Sequence, residues 1–181
     1  MDNGVLWVLA FLIFLLIWTI DYRLYLIPDE LNISLAVLGF LKIISDSFYK
    51  QFSGFQGSFL GGYADLFGFR NNIWINHFWA ALAGVLIVGL IIFITKGRGM
   101  GFGDLKLMSA LGFLYGWPDI LFIFVFASLI GSVISLFLVI LKRKNFKSTV
   151  PFGPFLVLGA ITIFFFGEKI LSAYFNFLSS F

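Results

Sequence analysis

The chain has 181 residues, of which 61% are hydrophobic and 12% charged, and its mean hydropathy is +1.04. A soluble domain carries about twice that charged fraction, so the composition speaks for an all-α, polytopic membrane protein of about six transmembrane helices. Cysteine is absent, which excludes disulfides and thiol chemistry. A lone histidine, His77, speaks against a histidine zinc site, and a net charge of +3 confined to loops does not suit nucleic acid. No cofactor and no metal are expected.

Val5 to Ile20 is an unbroken apolar run behind an acidic start, without the basic start and small-residue cleavage site of a secretory signal. It reads as a retained first span over 4–20. Asp21-Tyr22-Arg23 ends it, and Pro28 blocks continuation. Pro28, Asp29 and Glu30 then introduce a second span over 30–45. The stretch 46–73 has glycines at 54, 57, 61, 62 and 68 among aromatics and reads as an extracytoplasmic loop. A third span of ample length covers 74–95.

The next run, Lys96-Gly97-Arg98-Gly99-Met100-Gly101-Phe102-Gly103-Asp104-Leu105-Lys106, is the stretch around which the chain is organised. Four alternating glycines forgo side-chain packing and let another chain approach the backbone. A short fourth span, 104–117, follows. Pro118 opens a fifth over 118–141, and the basic run Lys142 to Lys147 closes it. Pro151-Phe152-Gly153-Pro154 opens a sixth over 152–167, and the remainder is its extension or an interfacial tail.

With the amino terminus outside, the cytoplasmic turns hold Arg23, Lys96, Arg98, Lys106, Lys142, Arg143, Lys144 and Lys147, eight of the twelve basic residues. The other side keeps Lys50, Arg70 and Lys169, with Lys42 near the outer end of the second span. This topology collects Asp21, Asp29, Glu30 and Asp104 at the cytoplasmic boundary.

Asp21 ends one span and Asp104 begins another at the same depth. Two neighbouring carboxylates cannot both ionise cheaply, so the pair would share a proton. One member can then act as base towards a water while the other donates to a carbonyl oxygen, as in aspartic proteases. The plain alternatives are a helix-start carboxylate for Asp104 and an interfacial partner of Arg23 for Asp21. Asp29 and Glu30 read first as helix-start charges and second as substrate contacts. Lys106, two positions from Asp104, should not face it on a helix; Asp119 reads as helix initiation and His77 as structural.

Gly101-Phe102-Gly103-Asp104 resembles the GxGD motif of intramembrane aspartic proteases. Three stretches in register resemble one branch, the type IV prepilin peptidases: Asp21 to Asp29 with its Ile-Pro-Asp end, Gly99 to Gly112, and Pro151 to Pro154. The resemblance implies Asp21 and Asp104 as the catalytic pair; beside it, open backbone at Gly101 and Gly103 and the charges of Asp29 and Glu30 make these four candidate substrate contacts. It implies a prepilin or pseudopilin substrate, cut at a leader junction on the cytoplasmic side of the inner membrane, and service to pilus or secretion machinery. Many members also carry an amino-terminal methyltransferase domain with paired cysteines, to which nothing here corresponds. The chain therefore resembles the short, peptidase-only members, or the peptidase half of a longer protein. The rival readings are a small proton- or cation-coupled transporter using boundary carboxylates, and a non-catalytic partner of a pilus or secretion machine.

Overall fold

The structure is a computed structural model that describes residues 3–48, 58–68, 72–97, 99–141 and 150–179. Six α-helices follow one another: α1 (Asn3–Leu24), α2 (Asp29–Phe48), α3 (Ile73–Thr95), α4 (Phe102–Tyr115), α5 (Asp119–Ile140) and α6 (Gly153–Leu178). A 3-10 helix, Gly61–Phe67, lies between α2 and α3. The described residues contain no strand, in keeping with the all-helical expectation. Apolar surroundings leave backbone N–H and C=O groups no solvent partner, so long apolar segments close their hydrogen bonds internally as helices.

All of these except α4 are long and apolar enough to cross a membrane. The exception has 14 residues, about 21 Å at the helical rise, against a hydrocarbon core of about 30 Å. It forms the buried centre of the bundle. Leu107, Met108, Leu111, Leu114 and Tyr115 have no exposed surface. Its backbone is gripped from both sides. A Cβ on Gly112 would sit 2.5 Å from the Ala81 Cα on α3, and one on Gly39 of α2 would sit 2.8 Å from the Phe113 carbonyl carbon. Only hydrogen fits at either place.

Three helices run past the expected ends. The first continues one turn beyond Asp21, and the chain then reverses at Tyr25, a non-glycine residue with φ of 54°. The second reaches Phe48, its last turns joined by a buried ion pair between Lys42 and Asp46 at 3.2 Å. The last, α6, runs to Leu178, so most of the carboxy-terminal tail extends the helix.

At the end of the bundle away from Asp21 and Asp104, residues 58–68 form a packed cap. Leu60 and Ala64 are fully buried. Asp119 accepts the Ser58 hydroxyl at 2.8 Å and the Phe59 amide at 3.2 Å, and the Trp117 indole donates to the Phe67 carbonyl at 2.8 Å. Rings of Trp7, Phe59, Tyr115 and Phe164 pack beneath it at centroid separations from 4.7 to 5.4 Å. Asp119, expected only to start a helix, thus also anchors the cap. His77 is buried beside Lys42, with its Nε2 3.5 Å from the lysine nitrogen. The basic run 142–147, together with Lys50, Arg70, Arg98 and the parts 49–57 and 69–71 of the expected loop, lies outside the described residues.

Candidate active site

Asp21 lies near the end of α1 and is 4% exposed; Asp104 lies in the first turn of α4 and is 8% exposed. Asp21 and Asp104 are brought to one cavity by the turn Tyr25–Pro28, which also lines it, and by the way α4 starts. Gly101 precedes α4 in an extended conformation, φ −93° and ψ 164°, and its N–H donates to Asp104 Oδ2 at 3.0 Å. A carboxylate three residues into a helix that reaches back to the preceding amide is one half of a capping box. The helix-start role considered for Asp104 is therefore present, and it fixes one of the two carboxylate oxygens.

Both acids line one cavity of about 600 Å³. Asp21 Oδ2 is buried and has no hydrogen-bond partner among the described residues. The start of α6 packs on two of the lining residues: a Cβ on Gly153 would collide with Asp21 Oδ2 and lie 3.0 Å from Ile27 Cδ1. Proline at the start of α6 pre-sets its first turn, so this glycine arrives on a rigid backbone.

Gly101, Gly103, Asp29 and Glu30 line the same cavity, so all six residues singled out in the sequence meet there. Gly103 packs against Ile27, where a Cβ would make an ordinary 3.4 Å contact. At the rim, Lys106 Nζ is held by both oxygens of Asp29 at 2.7 Å, and the pair is about half exposed. This agrees with the expectation that Lys106 turns away from Asp104. Sequence reasoning did not single out Tyr25 or Ile27, which also line the cavity. Their only signal was their place inside the Asp-to-Pro-Asp interval. Among the described residues, no group of three His, Asp or Glu side chains is arranged to hold a metal ion.

A cavity lined by two buried carboxylates is suited to proton exchange with a bound water and to polarising a carbonyl. Comparisons with known proteins bear on the family. The profile of the type IV leader peptidase family matches residues 8–136. A prepilin leader peptidase/N-methyltransferase of Xanthomonas campestris pv. campestris is 30% identical over 158 residues, 87% of this chain and 48% of that protein. The protein of the same name from Aeromonas salmonicida is 28% identical over 172 residues, 93% of this chain and 50% of its own length. That of Pseudomonas aeruginosa is 27% identical over 158 residues, covering 87% and 48%. The chain thus spans about half the length of the curated relatives it matches, and no solved structure matches it. With the family profile covering most of its length, the chain belongs to the type IV leader peptidase family.

Proposed function

We propose that residues 1–181 form one membrane-embedded aspartic endopeptidase domain that removes the leader peptide from prepilin-like precursors. The observation that carries this reading is the meeting of Asp21 and Asp104, both buried, in the lining of a single cavity. Family membership supports the peptidase class, and the names of the relatives support a prepilin substrate.

In the mechanism, one carboxylate takes a proton from a water as its oxygen adds to the scissile carbonyl, while the protonated partner donates to the carbonyl oxygen. The gem-diol collapses as the C–N bond breaks, the proton passes to the departing amine, and the acids return to sharing one proton. No covalent enzyme adduct forms. The water-binding oxygen is best assigned to Asp21, whose Oδ2 has no partner among the described residues, since Asp104 Oδ2 is engaged by Gly101. Asp29 and Glu30 at the rim favour the basic residues of a leader, and Gly101 and Gly103 leave backbone open to an extended substrate. The cavity faces the cytoplasm on the basis of the basic turns, with 46–73 on the other side of the inner membrane. A transporter is disfavoured because the core face of α4 leading away from the acids, Leu107, Met108, Leu111 and Leu114, is apolar and fully buried.

The test is cleavage of a leader-bearing precursor in liposomes by wild type, Asp21→Asn and Asp104→Asn. Wild type should cut at the leader junction, and each substitution should lower the rate at least about 1,000-fold, since neither half of the dyad acts alone. Equal cutting by all three proteins refutes the dyad. Substrate-dependent ion flux without cleavage would establish the transporter instead.

A further inference from the structure

Beyond the Asp29–Lys106 bridge lies a second opening of about 320 Å³, between α2 and α3 with α4 beneath. Eight of the fourteen residues of α4 are buried; Leu105, Ser109 and Phe113, spaced four apart, are half-buried and form the floor. That stripe is about 12 Å long at the helical rise. Ile33, Ala36 and Val85 make apolar walls, and Asp29 and Lys106 belong to this groove and to the acid cavity alike. The groove is therefore a continuation of the cavity along the bundle.

Asn32 lines this groove. It is 4% exposed, and neither its Oδ1 nor its Nδ2 has a hydrogen-bond partner among the described residues. A buried carboxamide with both ends unsatisfied weakens the fold that contains it, so its presence calls for a partner that arrives from outside. It sits three residues after Asp29, about 5 Å deeper along α2.

We propose that the groove seats the start of the substrate's apolar helix just past the scissile bond, and that Asn32 is a specificity-determining residue that hydrogen-bonds its first turn. This rests on the peptidase reading above. The bond being cut must be extended to reach two buried acids, so helical structure can begin only beyond it, at the groove mouth. The first four N–H groups of any helix lack an intrahelical partner, and apolar walls supply none. Asparagine and serine oxygens are the usual acceptors for such groups. Asn32 Oδ1 and the Ser109 hydroxyl lie in the lining where that first turn would rest, while the apolar walls receive its side chains.

The test uses wild type and Asn32→Leu in liposomes with two precursor peptides, one carrying the leader, junction and apolar helix, the other truncated soon after the junction. Asn32→Leu should raise KM about tenfold for the long peptide and leave the short one unchanged. Its thermal midpoint should rise or stay level, because an unpaired amide is removed. Equal losses on both peptides, with a lowered midpoint, would make Asn32 a structural residue and overturn the proposal. Wild-type behaviour on both peptides would overturn it as well. If wild type cuts neither peptide, the peptidase reading falls and takes this one with it. A second measurement exploits the absence of native cysteine: in an Asp104→Asn background, Ser109→Cys should form an adduct with a long peptide bearing a thiol-reactive group three residues past the junction. Leu129→Cys, on the exposed face of α5, should not. Equal labelling of both would mean that the groove holds lipid and not substrate.

Discussion

Asp21 and Asp104 are held by different means. Asp104 is tied by a hydrogen bond from Gly101 in its own helix start, whereas Asp21 sits against the backbone of Gly153, which has no side chain to displace it. Adding one methyl group at Gly153 must move the Asp21 carboxylate or the start of α6. Displacements near 1 Å at a reacting group cost about 100-fold in rate, so Gly153→Ala should lower kcat by about that factor and leave KM and helix content near wild type. Cleavage kinetics with circular dichroism checks this. Lys106 is different. Its ion pair with Asp29 is about half exposed, and such pairs contribute under about 1 kcal/mol. Thermal unfolding of Lys106→Met in detergent should therefore fall within that margin of wild type.

At the scale of elements, α4 and α5 carry the two dependencies that matter. A helix of 14 residues cannot span alone, so α4 persists because α2 and α3 close on it where Gly39 and Gly112 allow. Gly112→Val would drive a branched side chain into the Ala81 backbone and should destabilise the bundle by about 3 kcal/mol or more, read as loss of thermal midpoint. Asp119 at the start of α5 holds the cap through Ser58 and Phe59. Its replacement by alanine leaves a buried hydroxyl and an amide unsatisfied, at about 2–3 kcal/mol. Asp119→Asn keeps one acceptor and should cost less, and both variants should retain wild-type kcat per folded molecule.

Over the whole molecule, the two ends are unlike. One carries the acid cavity with its exposed rim at Phe102; the other carries the cap, with Leu66 on its outer surface. Between them, large apolar side chains such as Val8, Leu12, Leu15, Leu129 and Val133 remain exposed on α1 and α5, the surface a bilayer would cover. Single-cysteine variants separate the ends without background, because the natural chain has none. A membrane-impermeant thiol reagent should label Phe102→Cys from the cytoplasmic side only and Leu66→Cys from the outer side only. Labelling of both from one side would refute the orientation.

The helical class, the positions of all six helices and the six residues that gather in the cavity were legible in the chain. Hydrophobic run length and proline and glycine punctuation are local signals, and carboxylates at span ends carry an obvious energetic cost. Helix ends were less legible: whether α2 stops at 45 or 48, or whether α6 continues through Glu168, depends on contacts such as Lys42 with Asp46 and not on hydropathy. Tertiary structure alone decided which faces meet. It put Gly153 against Asp21, turned Lys106 towards Asp29, made Asp119 the anchor of the cap and left Asn32 buried without a partner among the described residues. Each of these is a contact between residues distant in the chain, or the lack of one, and no spacing rule within a single helix encodes it.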